Sequence, residues 1–152
     1  MDKISYRKLE KRDICKFIEM RLNQLQEEGA EPLFDLAPAL NEYYENHFDD
    51  GTFVSWLAID GDEIIATSGM SFVEKPPYYS NPSGKIGLLS SMYTLKAYRR
   101  KGIAKALLEK VIQEAKEYGC GTIQITASDM GVLLYTDYGF EKTANFMQLK
   151  IV

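Results

Sequence analysis

Apolar positions change their period several times along the chain, and each period predicts an element. Ile4 to Leu9 alternates, as a short first strand does. Between 11 and 27, Ile14, Phe17, Ile18, Leu22 and Leu25 share one face of a helix that Gly29 and Pro32 end. Leu36, Leu40, Tyr43, Tyr44 and His47 share a face of a second helix over 36–47. An aromatic stripe at helical spacing reads as core; the alternative is that Phe34, Tyr43 or Tyr44 faces a substrate groove. Thr52 to Ile59 and Glu63 to Val73 are strands, joined by the hairpin signal Asp60-Gly61-Asp62. Glu74 to Lys85, with Pro76-Pro77 and Asn81-Pro82-Ser83-Gly84, is a polar loop placed to rim an active site.

From Ile86 to Tyr93 runs an apolar segment short enough for a buried strand. Further on, Ile103, Leu107, Val111 and Ala115 recur every four residues, and Leu108 and Ile112 widen the stripe. A helix therefore begins near Gly102, and Gly119 caps it. Between strand and helix lies Arg99-Arg100-Lys101-Gly102-Ile103-Ala104, a basic turn of small residues. The first amides of a helix lack partners within it, and the aligned peptide dipoles favour negative charge there. Gly102 and Ala104 leave room for a phosphate to reach those amides, and Arg99, Arg100 and Lys101 add positive charge. The segment reads as a pyrophosphate cradle, or else as a solvated basic surface. It is no Walker loop, since Tyr79 stands where the first glycine belongs and Ile86 follows Gly84-Lys85. The dinucleotide fingerprint Gly-x-Gly-x-x-Gly is absent.

Gly121 to Ala127 reads as a strand, Ser128 as the cap of a short helix over 129–138 that Gly139 ends, and Phe146 to Val152 as a last strand. Strand, helix and strand across 86–127 imply a parallel pair, while the hairpin implies antiparallel pairing, so the sheet is mixed.

Composition narrows the function. The chain has 152 residues, is 45% hydrophobic and reads as one globular domain over 1–152. A net charge of -4 argues against a general nucleic-acid surface and makes the basic turn a local feature. No apolar run approaches membrane-spanning length, and Met-Asp-Lys-Ile-Ser opens no signal peptide. Cys15 and Cys120 lack metal or redox spacing and are expected as reduced thiols in a cytoplasmic protein. The lone His47 supports no metal site.

A second motif follows, Ala127-Ser128-Asp129-Met130-Gly131-Val132-Leu133-Leu134-Tyr135-Thr136-Asp137-Tyr138-Gly139-Phe140. With Tyr98-Arg99-Arg100-Lys101-Gly102-Ile103-Ala104 before it, the chain resembles the GNAT superfamily of acetyl-CoA-dependent N-acetyltransferases over about 86–142. The resemblance implies an α/β fold with a mixed, mostly antiparallel sheet of six or seven strands, flanked by helices, in which two central parallel strands splay. It implies acetyl-CoA as cosubstrate and a primary amine as acceptor. Met92, Tyr93 and Thr94 would pair their backbone with the pantetheine arm at the splay. The amides of Arg100, Lys101, Gly102, Ile103, Ala104 and Lys105 would hold the pyrophosphate, with Arg99 completing the turn. Tyr135 would protonate the departing thiolate, or else simply pack beside Tyr138. Ser128 stands where the family often has Asn near the pantetheine, Gly131 where it often has Ala, and Lys96 replaces a frequent proline.

The general base is not legible. Many relatives carry a glutamate on the strand before the turn, but Ile86 to Tyr93 has no acidic residue. Ser90 or Ser91 could position a water; Glu31, Asp35, Glu42 and His47 belong to the segment that lines the substrate groove in such folds. Acidic residues at 27, 28, 31, 35, 42 and 45 suit a cationic acceptor such as a polyamine or aminoglycoside, and amino acids or protein N-termini fit equally well. Two readings of other classes stay open: a non-catalytic coenzyme A sensor, and a basic turn that meets an acidic protein. Dimers are common among similar proteins, so a homodimer is an expected partner.

Overall fold

Residues 3–127, 131–143 and 146–152 are described in the computed structural model. Strand β1 (Ile4–Lys8) leads through a 3-10 turn, Lys11–Asp13, into helix α1 (Ile14–Glu27), and helix α2 (Ala37–Asp49) follows. Next come β2 (Phe53–Val54), β3 (Trp56–Asp60), β4 (Glu63–Glu74) and β5 (Lys85–Thr94). A second 3-10 turn, Lys96–Tyr98, precedes α3 (Ile103–Tyr118). Strand β6 (Thr122–Gln124) and helix α4 (Val132–Tyr138) are the last regular elements among the described residues.

The sheet runs β1-β3-β4-β5-β6, with β2 also on β4, and makes six strands. All its pairs are antiparallel except β5 with β6, which α3 joins as a crossover. The sheet is mixed, as the hydrophobic pattern predicts, and mostly antiparallel, as the resemblance implies. Two helices cover one face: Phe17 of α1 and Tyr44 of α2 meet edge to face with centroids 5.0 Å apart, and Phe53 lies 5.0 Å from Tyr44. Tyr44 is therefore core, as the first reading of the aromatic stripe has it. On the other face, Leu107, Leu108, Val111 and Ile112 of α3 are buried against Ile65, Met70, Phe72 and Leu89. Burying four such side chains contributes roughly 6–12 kcal/mol as an upper figure, which fixes the helix behind the basic turn. Gly87 permits this closeness, because a Cβ there would stand 2.8 Å from Met70 Sδ and 3.4 Å from the Ala115 methyl.

Three boundaries depart from the sequence pattern. The strand expected over Thr52–Ile59 breaks at Ser55, whose carbonyl accepts the Leu9 amide at 2.9 Å, while the Trp56 amide turns to Ser68 Oγ at 3.0 Å. The strand expected over Gly121–Ala127 keeps only Thr122–Gln124, because pairing with β5 stops at Leu88↔Gln124. The last strand, expected over Phe146–Val152, is not formed: no described strand lies beside it, and its apolar side chains stand in solvent. Ser128, the expected cap, lies outside the described residues; α4 starts at Val132 with Gly131 at its cap position.

Candidate active site

The site grows from a break in the pairing of β5. Its parallel partner covers only Ile86, Gly87 and Leu88, so from Leu89 onward that edge of β5 has no strand neighbour among the described residues. Within the same stretch the other edge slips: Thr67 pairs with Tyr93 and Gly69 with Ser90, so Ser91 and Met92 together oppose Ser68. Ser91 takes the extra turn at φ 57, and Thr67 Oγ1 donates to its carbonyl at 2.7 Å. An inserted residue reverses the side-chain alternation beyond it. Leu89 accordingly packs with α3, while Tyr93, four residues on, packs with α1 and α2. Ser91 Oγ is buried beside the Tyr44 phenol, outside hydrogen-bond geometry but close enough to offset part of the rise that burial causes in that phenol's pKa.

Helix α1 reaches this edge through Gln24, which is 7% exposed and donates from Nε2 to the Met92 carbonyl at 3.2 Å. Arg21 in turn donates to Gln24 Oε1 at 2.9 Å. Sequence reading missed Gln24. Its signal was a polar residue on the apolar stripe, four positions after Met20 and seven after Phe17.

The basic turn is built from two left-handed residues, Arg100 at φ 63 and Gly102 at φ 80. Such a φ suits glycine at 102 and costs Arg100 about 1–2 kcal/mol. The first helical bond of α3 runs from the Ala106 amide to the Gly102 carbonyl at 3.1 Å, and Gly102 brings no capping side chain. The amides of Ile103, Ala104 and Lys105 thus lie ahead of the ladder, with Arg100, Lys101 and Lys105 exposed around them. That donor set fits a diphosphate.

Arg99 is also held by the residues around it. Its Nε donates to the Thr94 carbonyl at 2.7 Å, its Nη2 meets Glu27 Oε2 at 3.0 Å, and its guanidinium lies 5.7 Å from the centre of the Tyr93 ring. These contacts tie the turn to the end of α1. Burial, with Glu27 beside it, holds the Tyr93 phenol above its ordinary range.

Tyr135 is 6% exposed in the α3-side core, edge to face with Phe140 at 5.7 Å, and its hydroxyl has no hydrogen-bond partner among the described residues. Burial, and then the charge of Glu28, push its pKa up to about 12. Tyr135 shares the α3-side core with Leu89, and Met92 packs against the same cluster. Met92, Tyr93, Thr94, the 99–105 turn and Tyr135 are thus gathered around the opened edge of β5.

Other candidates are engaged or apart. His47 Nδ1 is 2.6 Å from Thr52 Oγ1 and its ring lies 4.2 Å from that of Tyr43, so it braces the turn after α2. Tyr43 shares a hydrogen bond with Ser71 Oγ at 2.7 Å, and Phe34 is exposed in the α1–α2 connection. Glu31, Asp35 and Glu42 are exposed, and Glu45 pairs with Lys11 at 3.7 Å. A cleft of about 470 Å³ beside Lys8, Phe48, Phe72 and Glu114 contains no residue of the gathered set.

This arrangement defines a class, and comparison with known proteins agrees. The chain belongs to the acetyltransferase (GNAT) family, whose sequence profile matches residues 18–140. A crystal structure of a predicted acetyltransferase with acetyl-CoA from Clostridium acetobutylicum superposes with a TM-score of 0.95 at 35% identity, over 98% of this chain and 97% of that one. A GCN5-related N-acetyltransferase from Ralstonia eutropha shares the fold, with a TM-score of 0.89 at 24% identity over 97% of this chain and 99% of that one. Among curated proteins, rat N-acetyltransferase 8B is 34% identical over 95 residues, which are 60% of this chain and 40% of the relative. The chain thus spans under half the length of that relative.

Proposed function

We propose that this protein transfers acetyl from acetyl-CoA to a primary amine by direct attack, as an N-acetyltransferase. The observation that carries the reading is the juxtaposition of the opened β5 edge with unladdered amides behind a left-handed Arg100 and Gly102. When bound, acetyl-CoA supplies a thioester carbonyl that an amine attacks, so that a C–N bond forms and the C–S bond breaks. The amides of Arg100 to Lys105 hold the diphosphate, and the backbone of Met92, Tyr93 and Thr94 pairs with the pantetheine arm. Gln24 fixes the Met92 peptide, which keeps the edge in place. Such alignment of reactants removes much of the entropic barrier, and no enzyme nucleophile is needed.

Tyr135 donates a hydrogen bond to the sulfur as negative charge builds there. Its pKa of about 12 keeps it protonated at any physiological pH. An ordinary thiol of pKa about 8.5 lies more than three units lower, so a free-standing proton transfer would be uphill by roughly 5 kcal/mol. The phenol therefore acts chiefly as a hydrogen-bond donor to the developing thiolate, and a proton it passes on is replaced from solvent, balancing the one the amine gives up. The amine sheds its own proton to water.

Free thiol released on mixing the protein with acetyl-CoA and a panel of polyamines, aminoglycosides, amino acids and peptides tests this reading. Turnover with one class and a 1:1 N-acetyl product is the expected result. The absence of a carboxylate from Ile86–Tyr93 favours the alternative, a coenzyme A sensor, which predicts tight binding with no turnover on any amine. No described helix is long and apolar enough to cross a membrane. A cytoplasmic setting belongs to the same proposal, on the strength of the free thiols of Cys15 and Cys120.

A further inference from the structure

Outside the basic turn, each arginine but one is matched by a carboxylate. Arg7 meets Asp13 at 2.7 Å, Arg12 meets Glu10 at 2.7 Å, and Arg99 meets Glu27 at 3.0 Å. Arg21 is half-buried on α1 and has no ion-pair partner among the described residues, in a chain with 22 acidic side chains. Its one hydrogen bond there is the donation to Gln24 Oε1 at 2.9 Å. A guanidinium carries five N–H donors in a fixed fork, so the others meet no acceptor among the described residues. A partly desolvated charge is costly without a counter-charge.

The place of this cation gives it a use. The Gln24 amide that accepts from Arg21 also donates to the Met92 carbonyl at 3.2 Å. The two bonds and the width of the amide put the guanidinium no further than about 8.5 Å from that carbonyl. Tyr44 bounds the same corner from α2. Burial raises its pKa, while Ser91 and then the positive charge of Arg21 work against the rise, and no carboxylate among the described residues acts on it. The nearby acidic side chains are engaged or turned to solvent: Glu27 holds Arg99, and Glu31, Asp35 and Glu42 are exposed. The side of β5 that faces α1 and α2 is therefore locally positive in an acidic protein.

We infer that the acceptor is an amine that carries its own carboxylate, which Arg21 binds; free α-amino acids are the simplest members of the class. The inference rests on the acetyl-transfer reading and narrows it. A carboxylate bonded to a guanidinium lies about 2.8 Å from its nitrogen, and a single carbon separates the carboxylate from an α-amine. That span fits between Arg21 and the Met92 edge, where the thioester is held. A polyamine or aminoglycoside would instead bring a further positive charge against the guanidinium.

Three matched panels test it with acetyl-CoA: L-amino acids, their α-amides, and the corresponding decarboxylated amines. The acids should exceed the other two in kcat/KM by roughly 10- to 100-fold, as a lost hydrogen bond to a charged group predicts. Arg21→Gln should lower kcat/KM for the acids by that factor and for the amides far less, so that the contrast collapses; Arg21→Lys should restore part of it. A parent protein that prefers amides, or amines without a carboxylate, would overturn the inference. So would an Arg21→Gln variant that weakens acids and amides alike, because Arg21 would then only steady Gln24. If no amine of any panel turns over, the catalytic reading fails by itself. Calorimetric titration of the same acids and amides into protein saturated with coenzyme A then decides: tighter binding of the acids, lost in Arg21→Gln, upholds the carboxylate site, and equal binding overturns it.

Discussion

Gln24 and Met92 join helix α1 to the opened edge of β5, through an Nε2–H donated to a main-chain carbonyl at 3.2 Å. Both groups are away from bulk water, so the bond stabilises mainly by preventing an orphaned carbonyl. Gln24→Ala should lower the free energy of unfolding by about 1–2 kcal/mol in urea titrations. It should also raise the KM for acetyl-CoA more than it lowers kcat. A variant with unaltered stability and KM would remove Gln24 from the positioning of this edge.

Tyr135→Phe isolates one hydroxyl. The ring is buried, while the hydroxyl has no hydrogen-bond partner among the described residues and keeps some contact with solvent, so its removal should leave stability within about 1 kcal/mol of the parent. Loss of the acid should lower kcat by about 10²–10⁴-fold, with the KM for acetyl-CoA nearly constant. Steady-state kinetics decide the point, and a kcat within threefold of the parent would show that the sulfur leaves unaided.

The same residue gives a pH signature. An unfolded tyrosine loses its proton near pH 10, whereas folded Tyr135 retains it to about 12. Above pH 10 the unfolded state therefore binds fewer protons, and stability falls as pH rises. The loss is about 1 kcal/mol by pH 11 and reaches up to about 3 kcal/mol beyond pH 12. Lysines titrate in this range too, so the measure is the difference between parent and Tyr135→Phe in urea melts from pH 8 to 11. Two parallel curves would mean that the phenol is far less buried than described.

The turn offers a paired contrast. Gly102 sits at φ 80 with open space where a Cβ would stand, so Gly102→Ala meets backbone strain and no clash. It should cost about 1 kcal/mol of stability and weaken coenzyme A binding about tenfold by crowding the amides. Arg100→Gly should instead gain about 0.5–1 kcal/mol at φ 63, while losing a positive charge from the cradle. Calorimetric titration beside thermal melts would separate the two effects, and equal behaviour of the variants would refute the assignment of the turn.

The strand–turn–helix unit was legible because three signals coincide there. The apolar run of β5, the four-residue stripe of α3 and glycines at 102 and 119 all agree on the same boundaries. What escaped depends on partners far away in sequence. The break at Ser55 is set by Leu9 and Ser68, and the bulge at Ser91 by Thr67, none of which alters local hydrophobic alternation. Arg99 was read as adding positive charge to the turn, and its contact with Glu27, 72 positions away, shows in no local pattern. The segment 146–152 carries a strand pattern, but no described strand pairs with it.

Strand β5 carries an offset in its own alternation, because Ser91 adds a residue that β4 does not match. Exchanging one side chain for another along Leu89 to Thr94 leaves that phase intact. Shortening or lengthening the stretch by a single residue would rotate Tyr93 out from among α1 and α2 and send Met92 inward in its place. In this part of the molecule the count of residues is a stricter requirement than their chemistry.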